Sequence, residues 1–308
     1  MKFKAKNLVC IAIVLVAMFS GYLVGRIYID SIQPAPIVAA SEADLREKNE
    51  KVQELCKRAD GGASVSSFSA VELYVIAEHK LNSAEAFYKQ TTGTVDVNSV
   101  VKVHQEQQTD KLKRDGKFVT NKYSPGGGLA PTICSRTVYD YSTNIAKVNK
   151  NGTITNRETI GQFSATFGDS GWVDYDEEAY RNEFITVATT PNPYIISSVT
   201  CSTAQVSNVT KTAEGDYSFT IKMEGNSLVL AALYYSKEIA FSSGRGDPKW
   251  VSLEMTVVVG SDFNFKTIHY VEQYKVFEAS MWNLVVDKFT DVYNFDLATM
   301  PTIEEVCA

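Results

Sequence analysis

Short turn signals between β-type segments constrain the fold of this chain more than any other feature of its sequence. Asp115-Gly116 separates two long segments, and Asn151-Gly152 follows a third. Asp-Gly and Asn-Gly are the strongest short signals for a hairpin, because both central residues of a two-residue turn need positive φ. Two further turns are predicted at Glu214–Asp216 and Gly260–Asn264. Successive hairpins of this kind predict an antiparallel sheet.

The segment before the last of these turns alternates apolar and polar residues. Its apolar positions are Val251, Leu253, Met255, Val257 and Val259. Successive side chains of a strand point to opposite faces, so one face of this strand is predicted to be buried. A last strand is predicted over Trp282–Phe295, and helices are predicted to interrupt the strands over 174–187 and 226–241.

A capped helix is predicted just before the sheet. Ser69 and Glu72 have the spacing of a capping box. Apolar residues then recur at three- and four-residue steps as far as Tyr88, which gives the helix one apolar face, and Gly93 is predicted to stop it.

A second helix is predicted earlier, over 41–60, with Ser41 as its N-cap. Its narrow apolar stripe consists of Leu45, Val52 and Leu55. The stripe fits either a helix that leans on the domain or a membrane-proximal dimer helix. Fewer than three heptads is a weak coiled-coil signal, so the first alternative is favoured.

The N-terminus carries a membrane signal. Leu8–Gly25 is an 18-residue run without a charge, just long enough to cross a bilayer as a helix. Three lysines precede it and Arg26 follows, which predicts that the N-terminus lies inside the cell. The best small-residue cleavage site, Val38–Ala40, is far downstream, so an uncleaved anchor is favoured over a signal peptide.

These features predict an α+β protein with an N-terminal transmembrane helix and a curved antiparallel sheet of long hairpins that has helices on one face. The predicted parts are a cytoplasmic N-terminus at 1–7, a signal-anchor at 8–25, a linker at 26–40, a membrane-proximal helix at 41–60 and an extracytoplasmic domain at 68–308.

The charge balance of the exported part excludes one class of partner. Beyond residue 26 the chain has 26 basic and 36 acidic residues, a formal charge of −10. An acidic domain of this kind argues against nucleic acid as a partner and against docking on anionic headgroups through a basic face.

Four cysteines lie outside the predicted span: Cys56, Cys134, Cys201 and Cys307. Four cysteines in an oxidising compartment can pair in three ways. We favour Cys134–Cys201 together with Cys56–Cys307, which would tie the ends of the domain. Four buried free thiols are an equal alternative, because spacing does not fix pairing.

One motif resembles a catalytic site, but the residues that such a site also needs are not found in the required context. Gly168-Asp169-Ser170-Gly171 matches the letters around the nucleophile of trypsin-like proteases. That chemistry needs a histidine base and an aspartate to orient it. Neither His79 nor His104 has the required context, so we interpret the segment as a turn that delivers Trp172 to the start of an acidic segment.

Metal and cofactor signals are weak as well. The histidines are far apart in sequence, and the acidic cluster Asp174–Glu178 lacks the glycine and terminal glutamate of an EF-hand loop. We interpret this cluster as acids at a helix N-terminus. Ser124–Pro131 is glycine-rich but has no following Lys-Ser or Lys-Thr, so it is not a phosphate loop. No metal, cofactor or catalytic residue is predicted.

The order of elements resembles a known architecture. A capped helix leads to TTGTVDV, then to the hairpin VHQEQQTDKLKRDGKFVTNKYS, and later to GDYSFTIKM and FKTIHYVEQYKV. This order is similar to that of the convex-sheet exported proteins of the LolA, LppX and RseB type, which handle lipids or lipoproteins. The resemblance covers roughly residues 68–295. It implies a half-barrel sheet with an apolar cavity or a concave face that binds a partner.

A ligand-binding face is predicted on one strand. Tyr270, Glu272 and Tyr274 share a strand face, and a carboxylate among aromatic residues could contact a ligand headgroup. The alternative, which the rarity of buried unpaired carboxylates favours, places Glu272 in water at the edge of the sheet. Trp172 is a further candidate contact.

Together these features predict a non-catalytic, single-pass membrane protein with an extracytoplasmic domain that binds a lipid, a lipoprotein or another apolar ligand. The alternative is a protein-interaction or sensor ectodomain of an envelope complex, with a protein partner or a second copy of the chain and no small ligand.

Overall fold

The structure is a computed structural model that describes residues 42–98, 102–128, 130–179, 205–224, 249–278 and 281–307. The chain divides into a unit of residues 1–39 and a unit of residues 40–308. Ser41, Cys201, the predicted span at 8–25, the predicted linker and the predicted helix at 226–241 lie outside the described residues. None of the helices within the described ranges is long and apolar enough to cross a membrane.

The described residues form three α-helices and fourteen strands. The helices are α1 (Glu42–Asp60), α2 (Ala70–Ser83) and α3 (Ile303–Cys307). The strands are β1 (Phe87–Asn98), β2 (Val103–Arg114), β3 (Lys117–Ser124), β4 (Ile133–Asp140), β5 (Ile145–Asn149), β6 (Thr153–Asn156), β7 (Ser164–Thr166), β8 (Trp172–Asp176), β9 (Gln205–Val206), β10 (Thr210–Lys211), β11 (Tyr217–Glu224), β12 (Lys249–Val259), β13 (Phe265–Glu278) and β14 (Met281–Asn294).

Twelve of these strands form one sheet in the order β10-β11-β12-β13-β14-β1-β2-β3-β4-β5-β8, with β9 also paired to β11, and β6 and β7 form a separate pair. All the strand pairs are antiparallel, as predicted. The last strand lies between β13 and β1, so the sheet joins the beginning and the end of the domain at its centre.

Three of the four predicted hairpins are confirmed. Asp115 and Gly116 have φ values of 51° and 71° between β2 and β3, the positive values that a two-residue turn needs. Gly215 has a φ of 94° in the turn between β10 and β11. The loop Gly260–Asn264 joins β12 to β13.

The Asn151-Gly152 hairpin was predicted wrongly. The strand before it, β5, pairs with β4 and β8, whereas the strand after it, β6, pairs with β7. A Cβ on Gly152 would lie 2.4 Å from Cys134 Sγ, so glycine is needed here for a close approach as the chain leaves the sheet. The real turn between β4 and β5 contains Asn144, whose φ is 54°.

The large sheet has two differently covered faces. We call the face on which α1 and α2 pack the inner face; there Leu73 and Ile76 meet Phe219, Ile221 and Val257 in the largest apolar cluster of the described residues. Four of the five positions of β12 that were predicted to be buried, Leu253, Met255, Val257 and Val259, point into this cluster. Val251 does not, because the register of β12 shifts between Trp250 and Ser252.

The other face, which we call the outer face, carries α3. Ile303 and Val306 pack with Leu112 and Val119 on the outer side of β2 and β3. The prediction of helices on one face is therefore wrong, because the apolar residues after β14 cover the opposite side of the sheet.

The capping box is confirmed, but the end of its helix is not where it was predicted. The Glu72 N–H donates to Ser69 Oγ, and the Ser69 N–H donates to a Glu72 carboxylate oxygen at 2.8 Å. The helix ends at Ser83, and Gly93 lies within β1. Residues 87–98 pair with strands on both sides, so sheet pairing overrides the helical spacing that continues to Tyr88.

The helix predicted over 41–60 is α1, and it leans on the domain as favoured. Val52, Cys56 and Ala59 are buried against α2 and the inner-face cluster. Val52 and Leu55, two of the three stripe residues that the alternative assigned to a dimer contact, take part in this packing.

Candidate functional site

The inner face brings three of the four predicted ligand contacts together. Tyr270, Glu272 and Tyr274 alternate along β13, a central strand with β12 on one side and β14 on the other. Glu272 is only 6% exposed. The alternative that placed this carboxylate in water at the sheet edge is therefore wrong.

A second carboxylate faces Glu272. Asp287 lies directly opposite on β14 and is 4% exposed. The Tyr274 hydroxyl donates a hydrogen bond to Asp287, and burial, followed by the charges of Asp287 and Glu272, raises the Tyr274 pKa. Burial also raises the Tyr270 pKa well above its usual value. Both hydroxyls therefore remain neutral donors at physiological pH.

Apolar side chains surround this pair of carboxylates. The Tyr270 and Phe289 rings lie 5.6 Å apart, and Phe289 covers the backbone of Gly93. Tyr274, Val285, Val95 and Val97 pack together nearby. We call these six residues the inner strip: Val95, Val97, Tyr270, Tyr274, Val285 and Phe289.

Next to the inner strip, Asp291 collects three donors. Its carboxylate accepts from Lys89 Nζ at 2.5 Å, from Thr91 Oγ1 at 2.6 Å and from the Tyr293 hydroxyl at 3.0 Å. Lys89 Nζ also lies 5.5 Å from the centre of the Tyr293 ring. This network fixes Lys89 on the inner face.

Two more lysines continue this polar region across the neighbouring strands. Lys111 lies opposite Lys89 on β2, and Lys122 on β3 pairs with Thr109. Burial, followed by the charges of Lys89 and Lys122, lowers the Lys111 pKa from its usual 10.5 to about 7, while the charge of Asp291 opposes the change. We call Lys89, Lys111 and Lys122 the lysine cluster.

On its far side the lysine cluster borders a second apolar region of the inner face. Phe118, Tyr139, Ala146 and Val148 are buried together, and Phe87 packs against them with its ring 6.2 Å from that of Phe118. Charged groups of the inner face thus lie between two apolar regions.

Trp172 is not part of this arrangement. It lies on β8 opposite Asn149, and the register across β4 and β5 places both on the outer face. Its ring lies 6.1 Å from that of Phe167. Trp172 therefore lies apart from Tyr270, Glu272 and Tyr274, because β8 is an edge strand at the other end of the sheet, and its role as a ligand contact stays a prediction.

Ser170 occupies a turn, as interpreted. It precedes β8, and Gly171 has a φ of 109°. His104 hydrogen-bonds Asp96 at 2.6 Å and His269 hydrogen-bonds Thr290 at 3.0 Å. Within the described part of the chain, no hydrogen bond connects Ser170 to a histidine.

The acidic cluster has the interpreted role only at its end, because residues 174–176 belong to β8 and the helix predicted over 174–187 therefore starts later than predicted. Asp176 Oδ1 accepts from the Ala179 N–H at 2.8 Å, which caps the helical turn that begins at Glu177. Among the described residues, no group of three or more histidine, cysteine, aspartate or glutamate side chains is placed to hold a metal ion.

The predicted Cys56–Cys307 disulfide does not form. Both are free thiols, and Cys134 is a free thiol too. Cys56 packs between the helices of the inner face, whereas Cys307 packs on the outer face. Burial raises the pKa of all three thiols, which makes them less reactive. The partner predicted for Cys134, Cys201, lies outside the described residues.

Comparison with known proteins gives a likeness of architecture and nothing closer. No family model matches the chain, and no curated protein matches its sequence. A crystal structure of an outer membrane lipoprotein-sorting protein domain from Vibrio parahaemolyticus matches with a TM-score of 0.24 and 8% identity, over 74% of this chain and 93% of that one.

Two further crystal structures match at a similar level. A LolA superfamily protein from Nitrosomonas europaea has a TM-score of 0.22 and 5% identity, over 78% of this chain and 98% of that one. A DUF1329 family protein from Desulfovibrio piger has a TM-score of 0.22 and 8% identity, over 75% and 97%. The chain thus shows only a weak resemblance to these structures. Similarity this low carries no information about a ligand, so we base the proposed function on the side chains of this sheet.

Proposed function

We propose that the domain binds an apolar or amphipathic ligand, either a lipid or the acyl chains of a lipoprotein, on the inner face of its sheet and without catalysis. The observation that carries the proposal is the inner strip beside a polar region. Val95, Val97, Tyr270 and Phe289 each keep part of their surface accessible, whereas Val257 and Ile221 in the inner-face cluster keep none. Accessible apolar side chains grouped around a few polar ones are typical of a ligand site.

The free energy gained by burying an alkyl chain indicates what kind of ligand this face can hold. Each buried methylene contributes about 0.8 kcal/mol, so a chain of ten contributes about 8 kcal/mol. Association costs on the order of 4–15 kcal/mol. Burial of a single chain therefore roughly offsets the cost of association, and a tight complex needs additional chains or polar contacts to a headgroup.

We also propose that residues 8–25 anchor the domain at the cell membrane, with residues 41–308 outside the cytoplasm. The uncharged run at Leu8–Gly25 and the lysines before it support this proposal. Protease treatment of intact cells tests it. The domain should be degraded while a tag at the N-terminus survives, and protection of the domain would contradict the proposal.

Native mass spectrometry of the full chain, released gently from a nonionic detergent, tests the binding function. We expect the wild-type chain to carry a co-purifying amphiphile and to take up an apolar dye. Val95→Asp should lose both, because a carboxylate on the inner strip would have to be desolvated by the bound chain. A wild-type chain with neither bound lipid nor dye uptake would contradict the proposal.

Val292→Asp is the matched control. Val292 lies on the outer face of β14 and is 47% exposed, so the same substitution there should change neither ligand nor stability. Circular dichroism of both variants verifies that the loss of ligand in Val95→Asp is not a loss of fold.

A further inference from the structure

We infer that Lys89, Lys111 and Lys122 form a binding site for an anionic group with several acceptor oxygens, such as a phosphate, sulfonate or carboxylate. This inference rests on the proposed function in one respect: the anion is assigned to the headgroup of the ligand whose chain lies on the inner strip. It adds the chemical class of that ligand, an anionic amphiphile.

The register of three neighbouring strands brings these lysines together. Lys89 on β1 is directly opposite Lys111 on β2, and Lys111 is directly opposite Thr120 on β3. Lys122 lies two residues from Thr120 on the same face of β3. Since neighbouring strands are about 4.8 Å apart, the three side chains leave the sheet within a small area.

The charges of this area do not balance. Lys89 has an ion-pair partner in Asp291, at 2.5 Å. Among the described residues, neither Lys111 nor Lys122 forms an ion pair or a side-chain hydrogen bond. Like charges directly opposite each other on paired strands are destabilising, so the empty cluster costs free energy that a bound anion would offset.

Hydroxyl groups add neutral donors to the same area. Thr91, Thr109 and Thr120 occupy neighbouring inner-face positions on β1, β2 and β3. Thr91 Oγ1 donates to Asp291, which leaves Thr109 and Thr120 beside the two lysines that lack an ion pair. Ammonium and hydroxyl donors arranged in this way suit an anion with two or three acceptor oxygens.

Lys113, the next lysine along β2, differs from Lys111 and Lys122 because its ammonium group has partners on this face. Its Nζ donates to the Ala84 carbonyl oxygen at 2.7 Å and lies 5.8 Å from the centre of the Tyr141 ring. It therefore has local partners, and we do not include it in the site.

The protonation of Lys111 supplies a readout that a purely structural lysine would not give. Its pKa of about 7 means that the free site loses a positive charge as the pH rises above neutrality. The groups that face it are Lys89 and Thr91 on β1, Thr120 and Lys122 on β3, and Asp291 and Tyr293 on β14. Burial raises the Tyr293 pKa, so this group stays neutral and does not change the charge of the site. Because Lys111 loses its positive charge as the pH rises, an anion should bind more tightly at pH 6 than at pH 9.

The test uses the full chain in a nonionic detergent and two probes with the same chain. Dodecanesulfonate has a headgroup whose charge does not change with pH, and dodecanol has a neutral one. Native mass spectrometry at equal probe concentrations should show a ten- to a hundredfold preference for the sulfonate at pH 6, since hydrogen bonds to charged groups contribute about 1.5–3 kcal/mol. The preference should fall about tenfold at pH 9.

Two variants assign the preference to the cluster. Lys111→Met should abolish both the preference and its pH dependence. The variant should still fold, because the substitution removes a buried positive charge that lies opposite Lys89. Lys147→Met, on the exposed outer face of β5, should keep both.

The outcomes separate this inference from the proposed function. Equal binding of the two probes by the wild type and by Lys111→Met would overturn the anion site and leave the apolar binding face intact. Binding of inorganic sulfate as tightly as of dodecanesulfonate, with no binding of dodecanol, would support the anion site and contradict the amphiphile as its ligand.

Discussion

Lys111 shows on the scale of a single residue how a site can cost stability. Its pKa lies near 7 in the folded chain and near 10.5 when the chain is unfolded. Between these values the unfolded chain binds more protons, so this group makes the unfolding free energy rise with pH, and its full cost is present below pH 7.

Lys111→Met should therefore stabilise the chain. We expect a gain on the order of 2 kcal/mol below pH 7, less than the whole pKa change would give because Lys111 keeps part of its surface accessible to solvent. The gain should disappear as the pH rises toward 10.5. Urea unfolding in buffer without sulfate or phosphate measures it, with Lys147→Met as the control. A destabilised Lys111→Met at pH 6 would contradict the assigned cause.

Gly93 allows β1 and β14 to approach each other closely. A Cβ at this position would lie 2.6 Å from Phe289 Cδ1 and even closer to the Lys288 carbonyl oxygen. Gly93→Ala should thus force β1 and β14 apart and cost about 1–3 kcal/mol, as overpacking does. Gly168→Ala, where the added Cβ meets nothing within 4 Å, is the matched control. Equal melting temperatures for the two variants would contradict this prediction, because they would mean that Phe289 can move away from the added Cβ at no cost in stability.

Part of the candidate site could be predicted from local sequence. Tyr270, Glu272 and Tyr274 share a face because a strand alternates, and the structure confirms that they do. The lysine cluster could not be predicted in this way. Lys89 and Lys111 look like residues of solvated strand faces, and Asp291 is 202 residues away from the lysine that it binds.

On the scale of elements, α3 depends on one buried arginine. Arg136 donates from Nη1 to the Cys307 carbonyl oxygen, from Nη2 to the Val306 carbonyl oxygen at 3.2 Å, and from Nε to Asn121 Oδ1 at 2.8 Å. Asn121 Nδ2 donates to the same Val306 oxygen at 2.8 Å. A helix of five residues is too short to form alone, so these bonds and its apolar side hold it on the sheet.

Arg136→Met should destabilise the chain by about 2–4 kcal/mol, because it leaves buried acceptors without their donor. Deletion of residues 302–308 should cost a similar amount. The two changes together should cost much less than their sum, since both remove the same contacts. Chemical denaturation of the four chains measures this, with Arg157→Met, at an exposed position, as the control. Additive effects would contradict the coupling.

The elements themselves were largely predictable where turn chemistry and alternation agreed. The hairpin predicted at Asp115-Gly116 is correct because the segments on either side of the turn, β2 and β3, pair with each other. Asn151-Gly152 has the same local signal, yet β6 finds a different partner and leaves the large sheet. Local pattern indicates a turn but not which strands pair across it.

On the scale of the whole molecule, the sheet order could not be predicted. β14 lies between β13 and β1, which pairs residues about 200 positions apart, for example Gln90 with Val292. Only this long-range pairing brings the inner strip and the lysine cluster together, because it joins strands from both ends of the domain. The proposed ligand site thus depends on the assembled sheet and not on a motif.

The central claim, that an amphiphile lies along the inner face, is tested most directly by photo-crosslinking the full chain with a diazirine-bearing fatty acid and mapping the labelled residues. Neighbouring residues of a strand face opposite sides, so the label should alternate. We predict modification at Val95, Val97, Tyr270 and Phe289, and little at Thr94, His269 or Thr290 on the outer face. Labelling of the outer-face residues to the same extent, or labelling that ignores the alternation, would contradict the account.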